Sequence, residues 1–422
     1  MSDTPTIGER IGKMIAIFLP GIFLLGFNIG TGSVTAMAKA GATYGMSLLW
    51  TILASCLTTY FLIGLYGKFT LVTGETALAA FRKHIHPVVG LFFVVGLGFG
   101  VCGSVMGVMG IVADICYEWS KTMVDGGIKP IYFAGFFVAL VYFIFWNGKT
   151  KIFERVLAVI VAVMALCFLV NFFIMMPSPV SIIQGLIPNV PNVDEASGQS
   201  AFLVIASMVG TTVFPGLFII RTTLVKEAGW TLKDLKQQRL DAAVSASLMF
   251  LISGAIMAAA AGTLYASGIG LEKASQMISL LEPVAGSLAT AIFAIGIISA
   301  GVSSQFPNVL LLPWLICDYR DSKRDMTLLQ YRVVVLLISL LGLVVPIFDA
   351  RPVLVMIISQ AFNSFLLPAT VLCILYVANR ESIMGEHKNN MRTNVILVAI
   401  LLFSCVTTWM GLQGLFKLLG QL

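Results

Sequence analysis

Apolar residues run along this chain in stretches of roughly twenty, the length of helix that crosses a bilayer core, and short segments between them collect the charges. Strands of a membrane barrel would alternate apolar and polar positions instead. Eleven spans are predicted, over 14–42, 46–66, 88–116, 130–147, 153–176, 199–225, 240–267, 284–316, 329–348, 352–378 and 393–416. The polar segment 177–198 holds four prolines and is expected to be an irregular external loop. The first thirteen residues, MSDTPTIGERIGK, lead into no small-residue cleavage site, so no cleaved signal peptide is expected.

Two of the spans are interrupted. In LLGFNIGTGSVTAMAKAG, the eleven residues from Gly26 hold three glycines, an Asn, two Thr and a Ser inside an apolar run. In SMVGTTVFPGLFIIRTTLV, from Ser207, Gly, two Thr, Pro and Gly fall in the same relative place. Laying one on the other pairs Gly30 with Gly210 and Thr31 with Thr211. The first break lies in span one and the second in span six. Five spans per repeat make the second copy run upside down, and interrupted helices at matching places of inverted halves mark the binding site of many secondary transporters. At membrane depth the backbone groups freed by a break need a substrate, an ion or water as partner.

Composition narrows the class. The 422 residues are 58% hydrophobic and 11% charged, with a mean hydropathy of +0.97, which places the chain among multi-pass membrane proteins. With the N-terminus in the cytoplasm, 20 of the 26 Lys and Arg residues fall on the cytoplasmic side. The positive-inside rule then sets the C-terminus outside, in a cell (inner or plasma) membrane. The net charge of +6 is this bias and carries no nucleic-acid affinity. The seven cysteines lie in or beside spans with no paired spacing and read as packing residues. No phosphate loop, dinucleotide fingerprint, zinc-ligand pair or nucleophile elbow occurs, so the chain is not expected to be an enzyme.

Most remaining charges look peripheral. The histidines, His84, His86 and His387, fall in loops, and Asp114, Glu154 and Asp241 near span ends. Lys39 and Arg221 are expected to snorkel towards the interfaces. The glycines of the third span, such as Gly96, Gly100, Gly103, Gly107 and Gly110, are expected to let helices pack closely.

The segments PGIFLLGFNIGTGSVTAMAKAGATYGMSLLW, LVTGETALAAFR, GTTVFPGLFIIRTTLV, SAGVSSQFPNVLL and ISQAFNSFLLPA, spread over most of the chain, resemble the NRAMP family of divalent-metal transporters. That family shares an eleven- or twelve-helix fold with the amino-acid/polyamine/organocation superfamily. The resemblance implies an all-α membrane protein of two inverted five-helix repeats, with helices 1 and 6 unwound at mid-membrane. On this chain the repeats would be 14–176 and 199–378, with 393–416 as an extra helix of a single transport domain, 1–422. Where the family carries Asp-Pro-Gly-Asn in helix 1, the chain has Gly30, Thr31, Gly32 and Ser33. Where it carries Met-Pro-His-Asn in helix 6, the chain has Phe214, Pro215, Gly216 and Leu217. The family's acidic third helix is also missing. Transition metals want soft or imidazole ligands and bare hard cations want carboxylate oxygen.

The expected substrate site therefore comprises Asn28, Gly30, Thr31, Gly32 and Ser33, facing Gly210, Thr211, Phe214 and Gly216, with Gln360 and Asn363 reaching in from the tenth span. Gln360 matches a family position that helps bind metal. A small organic solute, amino-acid or carboxylate-like, is the expected cargo of an enlarged, carboxylate-free cavity. A divalent metal ion, Mg2+ or Mn2+, on neutral oxygens is the alternative, and a non-transporting sensor or structural subunit the second. Ser303 and Ser304 stand where sodium-coupled relatives of the architecture hold Na+, or simply bond back to their own helix. No other cofactor is expected. Coupling is to Na+ or H+, the partners are the solute or ion and the lipid bilayer, with no nucleic acid, and the chain is expected to be a monomer.

Overall fold

A computed structural model describes residues 30–147, 162–163, 165–174, 177–191, 200–281, 289–322 and 324–420. Residues 14–29 of the first predicted span, with Asn28, and half of the fifth lie outside the described residues. The described chain is helical. In order it runs α1 (Thr31–Tyr44), α2 (Leu49–Thr73), α3 (Ala77–His84), α4 (Pro87–Ser120), α5 (Pro130–Asn147) and α6 (Ala165–Ile174). Then follow α7 (Pro179–Gly185), α8 (Ala201–Thr212), α9 (Pro215–Glu227), α10 (Leu235–Ala260) and α11 (Ala289–Arg320). The chain ends through α12 (Leu329–Leu340), α13 (Val344–Phe348), α14 (Pro352–Phe365), α15 (Leu367–Asn379), α16 (Glu381–Met384) and α17 (Met391–Leu419).

Local chemistry sets several ends. Proline begins α4, α5, α7, α9 and α14, where its missing N–H costs nothing. Gly74, at φ +67°, ends α2 in the left-handed conformation. Ser178 and Pro179 start α7, so the 177–198 segment is not wholly irregular as its prolines suggested. One proline fits the first turn of a helix, and the Ser178 hydroxyl accepts the Ser181 N–H at 3.2 Å.

Two departures from unbroken spans have plain causes. The tenth predicted span is two helices, α14 and α15, joined at Leu366 where Pro368 cannot continue the ladder. The seventh begins five residues earlier than read, at Leu235, and ends in a π-turn over Ala261–Tyr265.

Helices α1, α2, α8, α9 and α10 pack on one another, and α4 packs on both α11 and α14, which in turn rests on α8. Two large apolar cores result. One gathers Met37, Ile111, Ile205, Met257, Phe293 and Met356, the other Tyr66, Phe81, Phe93, Phe218, Val309 and Ile374. The interrupted helix α8–α9 is wholly buried through its apolar window. Apolar side chains such as Leu57, Phe99, Leu251, Leu402 and Trp409 are exposed on the outside, as a lipid-facing surface requires.

Candidate functional site

Between the two cores lies a cavity of about 40 Å³. The interruptions face it. Helix α1 begins at Thr31, with Gly30 in extended conformation before it. Helix α8 stops at Thr212, Val213 and Phe214 cross the gap, and Pro215 starts α9. The Ser33 and Thr211 hydroxyls meet at 2.9 Å, which joins the first turn of α1 to the last turn of α8. Both are buried.

Four last carbonyls of a helix have no amide partner within it. In α8 the carbonyl of Val209 receives the Val213 N–H at 2.7 Å, and that of Thr212 receives the Thr59 hydroxyl of α2 at 2.8 Å. Those of Gly210 and Thr211 have no protein donor among the described residues. They sit at the negative end of the α8 dipole, whereas α1 and α9 turn their positive ends towards the break.

From α14, Gln360 and Asn363 line the cavity, the Asn363 amide donating to Gln360 Oε1 at 3.3 Å. The Asn363 Oδ1 is buried without a hydrogen-bond partner. The opposite wall carries Ser104 of α4 and Asn308 of α11, whose amide donates to the Ser104 hydroxyl at 3.2 Å. Ser304 also lines it, with its hydroxyl donating to the Gly301 carbonyl at 3.1 Å. Pro307 has no N–H to give, so the Ser303 carbonyl lacks its helical donor one turn back from the proline. Among the described residues no charged side chain lines this space, and no three of His, Cys, Asp and Glu come together as a metal cluster.

The predicted residues divide. Gly30, Gly32, Ser33, Thr211, Phe214, Gln360 and Asn363 border the cavity, and of the serine pair only Ser304 does. Thr31 is buried beside α11, where its hydroxyl would stand 3.4 Å from a Cβ on Gly301. Gly210 and Gly216 serve close packing. A Cβ on Gly210 would overlap the Gln360 carbonyl, and one on Gly216 would meet the Phe214 ring at 2.5 Å.

Sequence reading missed Gly100, Ser104 and Asn308. Of the third-span glycines, Gly96, Gly103, Gly107 and Gly110 do admit side chains of neighbouring helices, but Gly100 also borders the cavity. Asn308, four residues after Ser304, carried the signal of one polar helix face.

The lone charges need correction as well. Lys39 does not snorkel, because it is 4% exposed and donates to the Leu271 carbonyl at 2.7 Å. Arg221 is fully buried and pairs with Asp241 at 2.6 Å, while Gln238 accepts from the same guanidinium. Asp241, read as interfacial, is 1% exposed. Each is held in place by a polar partner that only the tertiary fold brings near.

A bundle of membrane helices closed around a break in a buried span, with polar groups converging on it, is the architecture of the broken-helix transporters. The sequence model of a family described as natural resistance-associated macrophage protein-like matches residues 22–413. The chain belongs to that family, the NRAMP family, and is a multi-pass membrane transporter, not an enzyme. It is 22% identical to the divalent metal cation transporter MntH of Erwinia tasmaniensis over 92% of this chain and 93% of the relative. It is 24% identical to the MntH of Klebsiella pneumoniae strain 342, over 93% and 94%. The fold is similar to that of a mutant of the manganese transporter from Eremococcus coleocola, with TM-score 0.75, 16% identity, and coverage of 97% of this chain and 88% of that one. It is also similar to MhsT in complex with L-phenylalanine, with TM-score 0.60, 14% identity, and coverage of 95% and 98%. The predicted fold of inverted five-helix repeats agrees with these likenesses.

Proposed function

We propose that the chain carries a divalent cation of the hard kind, Mg2+ or Mn2+, held with part of its water shell and moved by alternating access. What supports this is the pairing of size and chemistry at the break. The cavity of about 40 Å³ has room for about three water-sized particles, and the side-chain groups around it are neutral hydroxyls and amides. Mg2+ takes oxygen ligands and keeps several waters, so such donors suffice when the water shell stays.

In this reading Ser33, Thr211, Gln360 and Asn363 face the hydrated ion. The unpartnered Asn363 Oδ1 and the carbonyl of Thr211 accept from its waters. Gly30 and Gly32 keep the space open, since a Cβ on Gly32 would lie 2.5 Å from Gln360 Nε2. Phe214 forms the apolar side. The relatives' name, divalent metal cation transporter, points the same way. The expected organic solute gives way to the alternative because relatives within the family are divalent metal cation transporters by name. The Ser304 hydroxyl donates to its own helix and keeps its oxygen lone pairs towards the cavity, so it stays the candidate contact for a coupling ion. We place the protein in the cell membrane with a cytoplasmic N-terminus, as a monomer with one transport domain over 1–422.

One observation favours a second reading, a small organic solute: among the described residues the cavity wall has no charged side chain. Uptake into proteoliposomes decides between the two. Saturable entry of Mg2+ or Mn2+, followed with a trapped fluorescent indicator, is expected. Sodium-dependent entry of labelled amino acids or small carboxylates, with no metal entry, would overturn the cation reading.

A further inference from the structure

A second polar pocket lies far from the break, between the ends of α2, α10 and α17. Its volume is about 320 Å³, and Lys68, Arg239, Lys388, Asn389, Asn390 and Thr393 line it together with Tyr60. Lys388 is paired with Glu381 at 2.6 Å. Lys68 donates to the His387 carbonyl at 2.7 Å. Neither Lys68 nor Arg239 is ion-paired among the described residues, so the pocket carries uncompensated positive charge. Asn389 is 8% exposed, and both its Nδ2 and its Oδ1 are buried without a hydrogen-bond partner. Beside it Asn390 caps α17, accepting the Thr393 N–H at 2.9 Å, so the positive end of that helix also faces the pocket.

The pocket does not end at the polar groups. Tyr60 also lines an apolar groove of about 450 Å³, bordered by Leu53, Cys56 and Leu57 of α2 and by Ala246, Ser247 and Phe250 of α10. From Arg239 to Leu251 the α10 wall rises about 18 Å at ~1.5 Å per residue. That is close to the ~15 Å half-thickness of a bilayer's hydrocarbon. Leu57 and Leu251 are 60% and 53% exposed, so the groove opens on the lipid-facing surface. A cationic pocket with donors to spare at one end and an apolar channel one leaflet deep beyond it match one molecule that carries both a phosphate and acyl chains.

We propose that α2, α10 and α17 form a binding site for an anionic glycerophospholipid. Its phosphate sits among Lys68, Arg239 and Asn389, and one acyl chain lies along the groove past Tyr60 and Phe250. The basic end of these helices is the one that the positive-inside bias assigns to the cytoplasm, which places the site in the inner leaflet. Phosphate chemistry alone would also suit free phosphate; continuity with the groove selects the lipid.

The test uses the full chain, delipidated in a neutral detergent. Its unfolding midpoint is titrated with phosphatidylglycerol, phosphatidylcholine and inorganic phosphate. Phosphatidylglycerol is expected to half-saturate the shift at a concentration at least tenfold below phosphatidylcholine, and inorganic phosphate to give none. Lys68→Gln/Arg239→Gln should erase the preference for the anionic lipid. Because Lys68 also holds the His387 carbonyl, Arg239→Gln alone is the second variant, expected to weaken phosphatidylglycerol at least threefold. Ser247→Trp, on the exposed wall of the groove, should weaken both lipids alike. Equal affinities for the two lipids, a preference that Arg239→Gln leaves undiminished, or an equal shift from inorganic phosphate would each overturn the site.

Discussion

Ser33 Oγ and Thr211 Oγ1 stand 2.9 Å apart, the one in the first turn of α1 and the other in the last turn of α8. The two interrupted helices thus meet through hydroxyls at the level where their ladders stop. A contact of this kind fixes the relative height of the helix ends, and with it the shape of the cavity that both residues border. Any motion that separates α1 from α8 must break it.

Thr211→Val keeps the shape and removes the hydroxyl. The net worth of one buried hydrogen bond is about 1 kcal/mol, so the protein should stay folded with a small fall in its unfolding midpoint. Divalent-cation uptake should drop about tenfold, equivalent to ~1.4 kcal/mol in the bound or transition state. Proteoliposome flux measured beside thermal unfolding separates the two effects. Full uptake by the variant would detach Thr211 from transport.

Arg221 and Asp241 make a different kind of claim. Their 2.6 Å pair is 0% and 1% exposed, so removing one partner leaves a buried charge without compensation. Arg221→Met should cost about 3–5 kcal/mol, while Arg221→Met with Asp241→Leu should recover much of it. Thermal unfolding of the single and double variants reads this directly. A double variant no better than the single would show that Gln238 and the packing around the guanidinium, not the charge pair, dominate.

How far the sequence reached follows from the range of each interaction. Hydropathy runs, the interrupted spans and the match between Gly30 and Gly210 are local signals, and they pointed to the helical class, the inverted repeats and the glycines and hydroxyls of the cavity wall, while Phe214, Gln360 and Asn363 followed from the family resemblance. Ser104 escaped because it is unremarkable in its own span, and Asn308, which shares a helix face with Ser304, gains its meaning only when α4 and α11 bring it to 3.2 Å from Ser104. Lys39 and Arg221 were misread for the same reason, since their partners lie 232 and 20 residues away or belong to another helix. Gly210 and Gly216 looked like site residues because a glycine that frees a backbone and a glycine that admits a neighbour are the same letter.

That ambiguity yields a contrast between two glycines. An alanine Cβ at Gly210 would overlap the Gln360 carbonyl, a backbone atom held in α14, whereas at Gly135 in α5 nothing stands within 4 Å. Gly210→Ala forces α8 and α14 apart and should cost at least the ~1–3 kcal/mol of an overpacked core. Gly135→Ala should stabilise by about 0.5–1 kcal/mol through helix propensity. Opposite shifts in unfolding midpoint are expected, and equal shifts would contradict the packing described.

Glu75, in the turn between α2 and α3, gives a pH-dependent term. Partial burial pushes its carboxyl up, but hydrogen bonds from Lys83 and His84 and their nearby charges outweigh this and hold it below the usual range. A depressed carboxyl contributes stability that is present above its ordinary unfolded value and is lost as the pH falls through the folded one. The unfolding midpoints of the native protein and Glu75→Gln should therefore differ at neutral pH and converge as the pH drops below ~4. A difference that persists undiminished at low pH would exclude the ionised carboxylate as its source.

The final prediction concerns charge at the break. Gly30 has φ −95° and ψ −174°, an extended conformation open to any residue, and it stands before the first turn of α1. Aspartate is a favoured residue at such a position, and its charge suits the positive end of the helix dipole. Gly30→Asp should therefore fold, and it adds to a neutral cavity the carboxylate oxygen that hard cations prefer. If a hydrated divalent cation is the cargo, Mn2+ binding by calorimetry should tighten about tenfold or more, which corresponds to ~1.4 kcal/mol. Transport should then saturate at lower concentration and slow, because an ion held more tightly leaves more slowly. A variant that folds yet gains no affinity for Mn2+ or Mg2+ would place the cation elsewhere than between Gly30 and Gln360.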